Sequence, residues 1–149
     1  MDYGDHEGAP YLVMEYLPGG TLKQRLGKPM PWQEAVKFLI PVADALDYAH
    51  QHKIVHRDVK PSNILVMEDG RVMLVDFGIA KILASDGNTL LTTTGAIVGT
   101  PDYMAPEQVS NTEVDHRADI YALGIIFYEL VTGRKPYQGP TPLSTLMKH

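Results

Sequence analysis

The chain has 149 residues, of which 44% are hydrophobic and 21% charged, a composition typical of one globular domain and not of a disordered chain. A formal net charge of −5 gives no support to a nucleic-acid or anionic-membrane partner, and the lack of cysteine excludes disulfides and thiolate chemistry. The N-terminus is acidic, and the most apolar stretch, residues 120–131, is too short to span a bilayer. We therefore expect a cytoplasmic location for this chain.

The first half of the sequence predicts one strand and two helices. Residues 11–16 read as a short buried strand, and the Pro-Gly-Gly sequence at 18–20 closes it as a turn. A brief helix over 21–27 and a long helix over 33–51 follow. Pro41 lies inside the long helix and costs roughly 3 kcal/mol there, so we expect a kink. The stripe that faces the core consists of Val36, Leu39, Ala43, Leu46 and Ala49.

The second half predicts a hairpin, a long loop and a buried helix. Two β-rich segments, 64–66 and 72–75, flank an Asp-Gly pair, which is a typical hairpin signal. Residues 81–106 show no periodicity and indicate a long functional loop. The helix over 117–132 is apolar on nearly all sides, Ile120 included, and Gly133 ends it. The predicted class is α+β, mainly helical with a few short strands.

Four polar residues flank the predicted hairpin in a pattern that suits phosphoryl transfer from a nucleotide. Such transfer needs a carboxylate to deprotonate the acceptor hydroxyl, oxygen ligands for Mg²⁺ and a cation that offsets the charge of the moving group. Asp58 is the candidate base and Lys60 the candidate cation. Asn63 and Asp76 supply oxygen ligands, and the hairpin is expected to fold Asp76 back beside Asn63.

The motifs resemble those of a known family, in the right order and spacing. Residues 56–63 (HRDVKPSN) are similar to the catalytic loop of protein kinases, and 76–78 (DFG) to their metal-binding triplet. Residues 99–107 (GTPDYMAPE) resemble the end of the activation loop, and 119–124 (DIYALG) the central helix. The chain is therefore identified as part of a eukaryotic-like, bacterial Hanks-type serine/threonine protein kinase domain. The resemblance assigns residues 1–18 to the end of the small lobe and the hinge, and 19–149 to a truncated large lobe.

The resemblance further implies ATP and Mg²⁺ as cofactors and serine or threonine hydroxyls of proteins as acceptors. It implies that Thr100 hydrogen-bonds Asp58 and Lys60 at the floor of the site. Met14 would guard the back of the adenine pocket, Glu15 and Leu17 would offer main-chain groups to the purine, and Leu65 would pack beneath its ring. The expected nucleotide site therefore consists of Met14, Glu15, Leu17, Lys60, Asn63, Leu65 and Asp76.

The predicted activation loop also suggests regulation. Thr92 and Thr94 occupy the places that are autophosphorylated in the bacterial receptor-type kinases that the chain resembles. A phosphate there would give Arg57, which directly precedes the candidate base, a charge-assisted partner and would order the loop.

Two parts of the kinase signature do not occur in the 149 residues: the glycine-rich loop and the Val-Ala-Ile-Lys strand. We therefore expect the chain on its own to bind nucleotide poorly and to transfer phosphate slowly or not at all. Two alternatives remain open. One is a non-catalytic, pseudokinase-like interaction module, and the other is a small-molecule phosphotransferase of the aminoglycoside type. Lys60 and the 99–107 segment argue against the second.

Overall fold

A computed structural model describes residues 2–6, 9–13, 15–77, 101–108 and 113–149. Most of the predicted loop over 81–106 lies outside these ranges. The strands are β1 (Asp2–His6), β2 (Ala9–Val13), β3 (Gly19–Thr21), β4 (Ile64–Met67) and β5 (Val72–Leu74). The helices are α1 (Trp32–Gln51), α2 (Arg117–Thr132) and α3 (Pro142–Leu146). The α+β class and its mainly helical content are confirmed, and none of the helices in the described part is long and apolar enough to cross a bilayer.

The core lies where α1 packs against α2, with the buried side of the small sheet against it. The long helix predicted over 33–51 is confirmed as α1, and it continues through Pro41, whose side chain is exposed. The predicted stripe is partly wrong: Ala35 and Val42 are fully buried, whereas Val36 and Ala43 lie half-buried at its edge. A helical stripe spans about 100° of the helix surface. When two adjacent positions are both apolar, only one of them lies at the middle of the stripe and is fully buried.

Helix α2 begins and ends where the sequence predicts. Gly133 follows it with a φ of 72°, and its N–H donates to the carbonyl of Glu129 over 2.8 Å, which is the left-handed cap expected of glycine. The prediction that α2 is buried on nearly all sides is wrong at Ile120, which is 54% exposed. Within the described residues, α1 and the loops pack on the opposite face, which presents Ala118, Ala122 and Ile126 to the core.

Strands β3, β4 and β5 form an antiparallel sheet in that order, which confirms the predicted hairpin. Val66 pairs with Val72, and the turn between them contains Gly70 in the left-handed region. Alternation along β4 buries Ile64 and Val66 and turns Leu65, which is only half-buried, to the other face.

Strands β1 and β2 form a separate two-stranded antiparallel ribbon. The strand predicted over 11–16 is therefore displaced, because β2 ends at Val13 and Glu15 and Tyr16 follow it as exposed irregular chain. The prediction that this strand is buried is also wrong, since Tyr11 and Val13 are each 52% exposed. A two-stranded ribbon leaves both faces open unless another layer covers one of them.

Candidate active site

Asp58, Lys60 and Asn63 form one hydrogen-bonded cluster. The Lys60 ammonium donates to Asp58 Oδ2 over 2.8 Å. Asn63 Nδ2 donates to the main-chain carbonyl of Asp58 over 3.0 Å and to its Oδ2 over 3.3 Å. The cluster is compact because Pro61–Asn63 make a single helical turn between the catalytic-loop residues and β4. The side chains of Asp58 and Lys60 keep 21% and 22% exposure, so both can meet a ligand.

The buried carboxylate of Asp119 holds the chain immediately before Asp58. Its Oδ2 accepts the main-chain N–H of His56 over 2.9 Å, and its Oδ1 accepts that of Arg57 over 2.8 Å. His50, in the last turn of α1, lies with Nε2 2.8 Å from the same Oδ2. Asp119 is only 1% exposed, so these donors replace the water that an ionised carboxylate would otherwise need. One side chain of α2 thus ties both α1 and the catalytic loop to the core.

Two main-chain hydrogen bonds of Val75 fix the position of the chain just before Asp76. The Val75 N–H donates to the carbonyl of Asn63 over 2.9 Å, and its own carbonyl lies 3.1 Å from His56 Nε2. Asp76 follows at once, with a φ of 59°, a left-handed conformation that aspartate tolerates better than most residues. The structure therefore brings the chain at Asp76 back to Asn63, and the Asp76 side chain is exposed.

His56 is held as the neutral ring that its two contacts require. Nε2 must donate to the carbonyl of Val75, and Nδ1 must accept the main-chain N–H of Asp58 at 3.3 Å. Burial lowers the pKa of His56, while the Val75 carbonyl and the charges of Asp119 and Asp58 act in the opposite direction. The ring packs on Phe77 with the centroids 4.6 Å apart.

Residues 101–108 form a platform beside the cluster and are fixed at two points. Gln108 accepts from the N–H of Ala105 and donates to the main-chain carbonyl of Arg57 over 2.9 Å. Tyr103 donates its hydroxyl hydrogen to Glu129 Oε2 of α2 over 2.6 Å. Burial, together with this hydrogen bond, raises the pKa of Tyr103. A shallow pocket lies between platform and cluster, and Asp58, Lys60 and Tyr103 are among its lining residues.

The remaining predicted site residues are distributed as follows. Leu65 lies on the sheet face that points away from the core, opposite Thr21 on one side and Met73 on the other. Leu17 is half-buried, and Glu15 is exposed. Arg57 is exposed and has a φ of 63°. Four predicted residues lie outside the described part of the chain: Met14, Thr92, Thr94 and Thr100.

The donor set at the cluster fits Mg²⁺. Asn63 is buried and uses its amide nitrogen for Asp58, and its oxygen, which accepts a long hydrogen bond of 3.4 Å from the Ser62 hydroxyl, has a second lone pair for a cation. Asp76 adds a carboxylate. Mg²⁺ is commonly bound by one or two protein oxygens together with substrate phosphates. Among the described residues there is no group of three or more His, Cys, Asp or Glu that could hold a metal ion.

Comparison with known proteins decides the family. A family model described as the protein kinase domain matches residues 2–148. The chain belongs to the protein kinase family. It is 42% identical over 142 residues to the serine/threonine-protein kinase PknB of Mycobacterium leprae, and 43% identical over 151 residues to a probable serine/threonine-protein kinase of Clostridium perfringens. A probable serine/threonine-protein kinase of Streptomyces coelicolor is 40% identical over 150 residues.

These alignments cover 94–100% of this chain but 22% of each of the three relatives, so the chain spans about a fifth of their length. They confirm the predicted resemblance to the bacterial serine/threonine branch of the protein kinase family.

Sequence reasoning gave no role to several residues that organise this protein kinase site. Asp119 and Glu129 were visible in the sequence as carboxylates inside an apolar helix, and a buried carboxylate needs a partner. That rule could have flagged both residues. Gln108 carries no such signal, because its two contacts depend on the tertiary arrangement of the platform and the catalytic loop.

Proposed function

We propose that this chain supplies the catalytic cluster for ATP- and Mg²⁺-dependent phosphoryl transfer to serine or threonine hydroxyls of proteins. The observation that carries the proposal is the hydrogen-bonded cluster of Asp58, Lys60 and Asn63, with Asp76 brought back beside it. A carboxylate, an ammonium and two hard oxygen ligands are what phosphoryl transfer asks of a protein.

Each member of the cluster has a separate task in this proposal. Asp58 orients the acceptor hydroxyl and takes its proton. Lys60, which already donates to Asp58 at 2.8 Å, offsets negative charge on the transferred group. Asn63 and Asp76 would hold Mg²⁺, which when bound neutralises the phosphate charge. Leu65, with Glu15, Leu17 and Met14, would form the adenine site, and Thr100 would close the floor of the catalytic pocket.

Phosphorylation of Thr92 and Thr94 by the kinase itself is part of the same proposal. Arg57 would be the cation that receives the phosphate. The main chain of Arg57 is fixed by hydrogen bonds to Asp119 and Gln108, and its side chain is exposed. Arg57 is therefore a fixed point at which a phosphate could order the activation loop.

The test is single-turnover transfer, because the 149 residues contain no glycine-rich loop and we expect slow turnover from them alone. The chain, in excess over γ-labelled ATP and Mg²⁺, is incubated with a protein rich in serine and threonine. Label should appear on those residues. The rate of label transfer should fall at least about 100-fold in Asp58→Asn, because a general base typically contributes that much to the rate. Asp69→Asn, in an exposed turn, is the matched control and should leave transfer unchanged.

Binding of Mn²⁺·ATP, followed by water-proton relaxation, separates catalysis from a scaffold role. Asp76→Asn should weaken the relaxation enhancement. If Asp76→Asn leaves it unchanged and the wild-type chain transfers no label, the proposed function is overturned in favour of a non-catalytic interaction module.

A further inference from the structure

A second concave site shares no lining residue with the pocket at the catalytic cluster. It is an open cleft between the C-terminal part of α2, the segment that follows Gly133 and the residues that follow α3. Its lining includes Tyr128, Arg134, Lys135, Tyr137 and Lys148. We call it the basic cleft.

The charge of the basic cleft opposes that of the whole chain. Three of its lining residues are cations, and of the residues that the structure describes no Asp or Glu lines it, whereas the chain has a formal net charge of −5. Arg134 is exposed, and no carboxylate within the described residues pairs with it. Lys148 is also exposed and spends one of its three donors on the carbonyl of Gln138, at 2.6 Å. At least two cations are therefore free to bind an anionic ligand.

Stabilisation of a helix end does not account for this arrangement. Cations after the last turn of α2 would favour the negative end of that helix, and this explains a basic residue at 134. It does not explain Lys148, which follows α3 and whose ammonium donates to the carbonyl of Gln138, outside that helix. It also does not explain Lys135, whose ammonium turns to Asp102 of the platform and lies 5.5 Å from the Tyr103 ring centroid.

Lys135 joins the basic cleft to the catalytic pocket. Its ammonium lies over the ring of Tyr103, and that ring lines the pocket that contains Asp58. A polypeptide that extends from Asp58 across Tyr103 to Lys135 would meet the cleft. The two tyrosines of the cleft, Tyr128 and Tyr137, add apolar walls with polar tips, which suit a peptide.

We propose that the basic cleft binds an acidic segment of the protein substrate, at a distance from the phosphorylated residue. This inference rests on the proposed function for the identity of its partner. The attraction comes mainly from Arg134 and Lys148. Lys135 contacts Asp102 and Tyr103 and so fixes the position of the cleft beside the platform. Because the cations are exposed, added salt weakens the interaction.

The experiment compares two fluorescent peptides with the same threonine-containing core. One peptide has a tract of Glu and Asp, and the other has Gln and Asn at the same places. Fluorescence anisotropy with the 149-residue chain should show tighter binding of the acidic peptide at low salt. The double variant Arg134→Ala/Lys148→Ala should lose about five- to tenfold of that affinity, as expected for two exposed ion pairs.

The matched control removes two exposed cations elsewhere, in Lys23→Ala/Lys37→Ala, and changes the net charge equally. The control should keep the preference for the acidic peptide. The inference is overturned if the control loses the preference as much as the cleft variant, if the cleft variant retains it, or if the wild-type chain does not distinguish the peptides. Tighter binding to a phosphatidylserine vesicle than to the acidic peptide would also overturn it.

The binding assay needs neither ATP nor Mg²⁺, so it is independent of the proposed catalysis. Asp58→Asn should abolish transfer and leave the peptide preference intact. Transfer that depends on Asp58 but shows no preference for acidic peptides refutes the cleft alone. A preference that depends on Arg134 and Lys148, in a chain that shows neither transfer nor Asp76-dependent binding of Mn²⁺·ATP, refutes the catalytic proposal alone.

Discussion

His56 illustrates how one buried ring can fix two segments of a protein kinase site. Its Nε2 reaches the carbonyl of Val75, next to Asp76, and its Nδ1 accepts the N–H of Asp58. The bond at Nδ1 needs the neutral ring, because a protonated ring would present Nδ1–H to the N–H of Asp58. The candidate base and one candidate metal ligand are therefore positioned by the same side chain.

The first prediction concerns the pH dependence of stability that His56 imposes. Its folded-state pKa is lowered from the ordinary 6.5 by burial, so the unfolded chain binds the proton more readily. The free energy of unfolding should therefore fall as pH drops below about 6.5 and level off below the lowered pKa. Urea unfolding between pH 5 and 8 measures this.

The variant His56→Phe keeps a ring against Phe77 and removes the titrating group. It should be less stable than the wild type at pH 8, since two hydrogen bonds are lost, and the difference should shrink toward pH 5. The same slope in both proteins would show that other groups cause the pH dependence. If the variant does not fold, an NMR titration of the wild-type His56 ring decides, because protonation near pH 6.5 would contradict the lowered pKa.

At the scale of elements, the end of α2 is where local sequence and tertiary packing agree most closely. Gly133 has a φ of 72°, and a Cβ built there would lie 2.8 Å from the Pro29 ring. The N–H of Met30 donates to the carbonyl of Leu130 over 2.9 Å, so the segment before α1 packs against this helix end. Glycine is required both for the left-handed turn and for the close approach of Pro29.

The second prediction is a pair of glycine substitutions with opposite signs. Gly133→Ala should lower the free energy of unfolding by about 1–2 kcal/mol from the left-handed conformation, and further through the contact with Pro29. Gly124→Ala is the matched control inside α2, where a Cβ meets nothing within 4 Å. It should raise the same quantity by about 0.5–1 kcal/mol, because alanine favours a helix.

Chemical denaturation of the wild type and both variants measures these changes. The curves are fitted with one common slope of the free energy of unfolding against denaturant concentration. A neutral or stabilising Gly133→Ala would mean that the segment at Pro29 moves away at little cost. That result would contradict the view that the end of α2 and the start of α1 are packed as one unit.

Across the whole molecule, the sequence predicts what depends on neighbours along the chain. Helices α1 and α2, the β4–β5 hairpin and the cap at Gly133 follow from periodicity and turn chemistry. The grouping of Asp58, Lys60 and Asn63 is likewise local, since all three lie within six residues. The exposure of Ile120 and Tyr11 was not predictable, because it depends on which elements cover each face. The links from Asp119 to the catalytic loop span more than 60 residues and have no local pattern.

The last prediction contrasts the two small β elements of the molecule. Ribbon β1–β2 exposes Tyr3, Tyr11 and Val13, whereas β4 of the other hairpin buries Ile64 and Val66 in the core. Both have short strands and similar main-chain pairing, so the main difference between them, among the side chains that the structure describes, is burial. A ribbon with little apolar burial opens at low free energy, while elements of the core open only with the whole fold.

Hydrogen exchange followed by mass spectrometry tests this contrast. Amides of β1 and β2 should exchange within seconds to minutes, and those of β4 should approach the protection of α1 and α2. The hairpin serves as the internal control for short strands. Equal protection of ribbon and hairpin would mean that the ribbon is stabilised by packing and not by its own hydrogen bonds. The segment that leads to Glu15 and Leu17 would then be rigid, and the part of the adenine site that these two residues form would exist before nucleotide binds. Fast exchange of the ribbon instead predicts that this part of the site becomes ordered only when nucleotide binds.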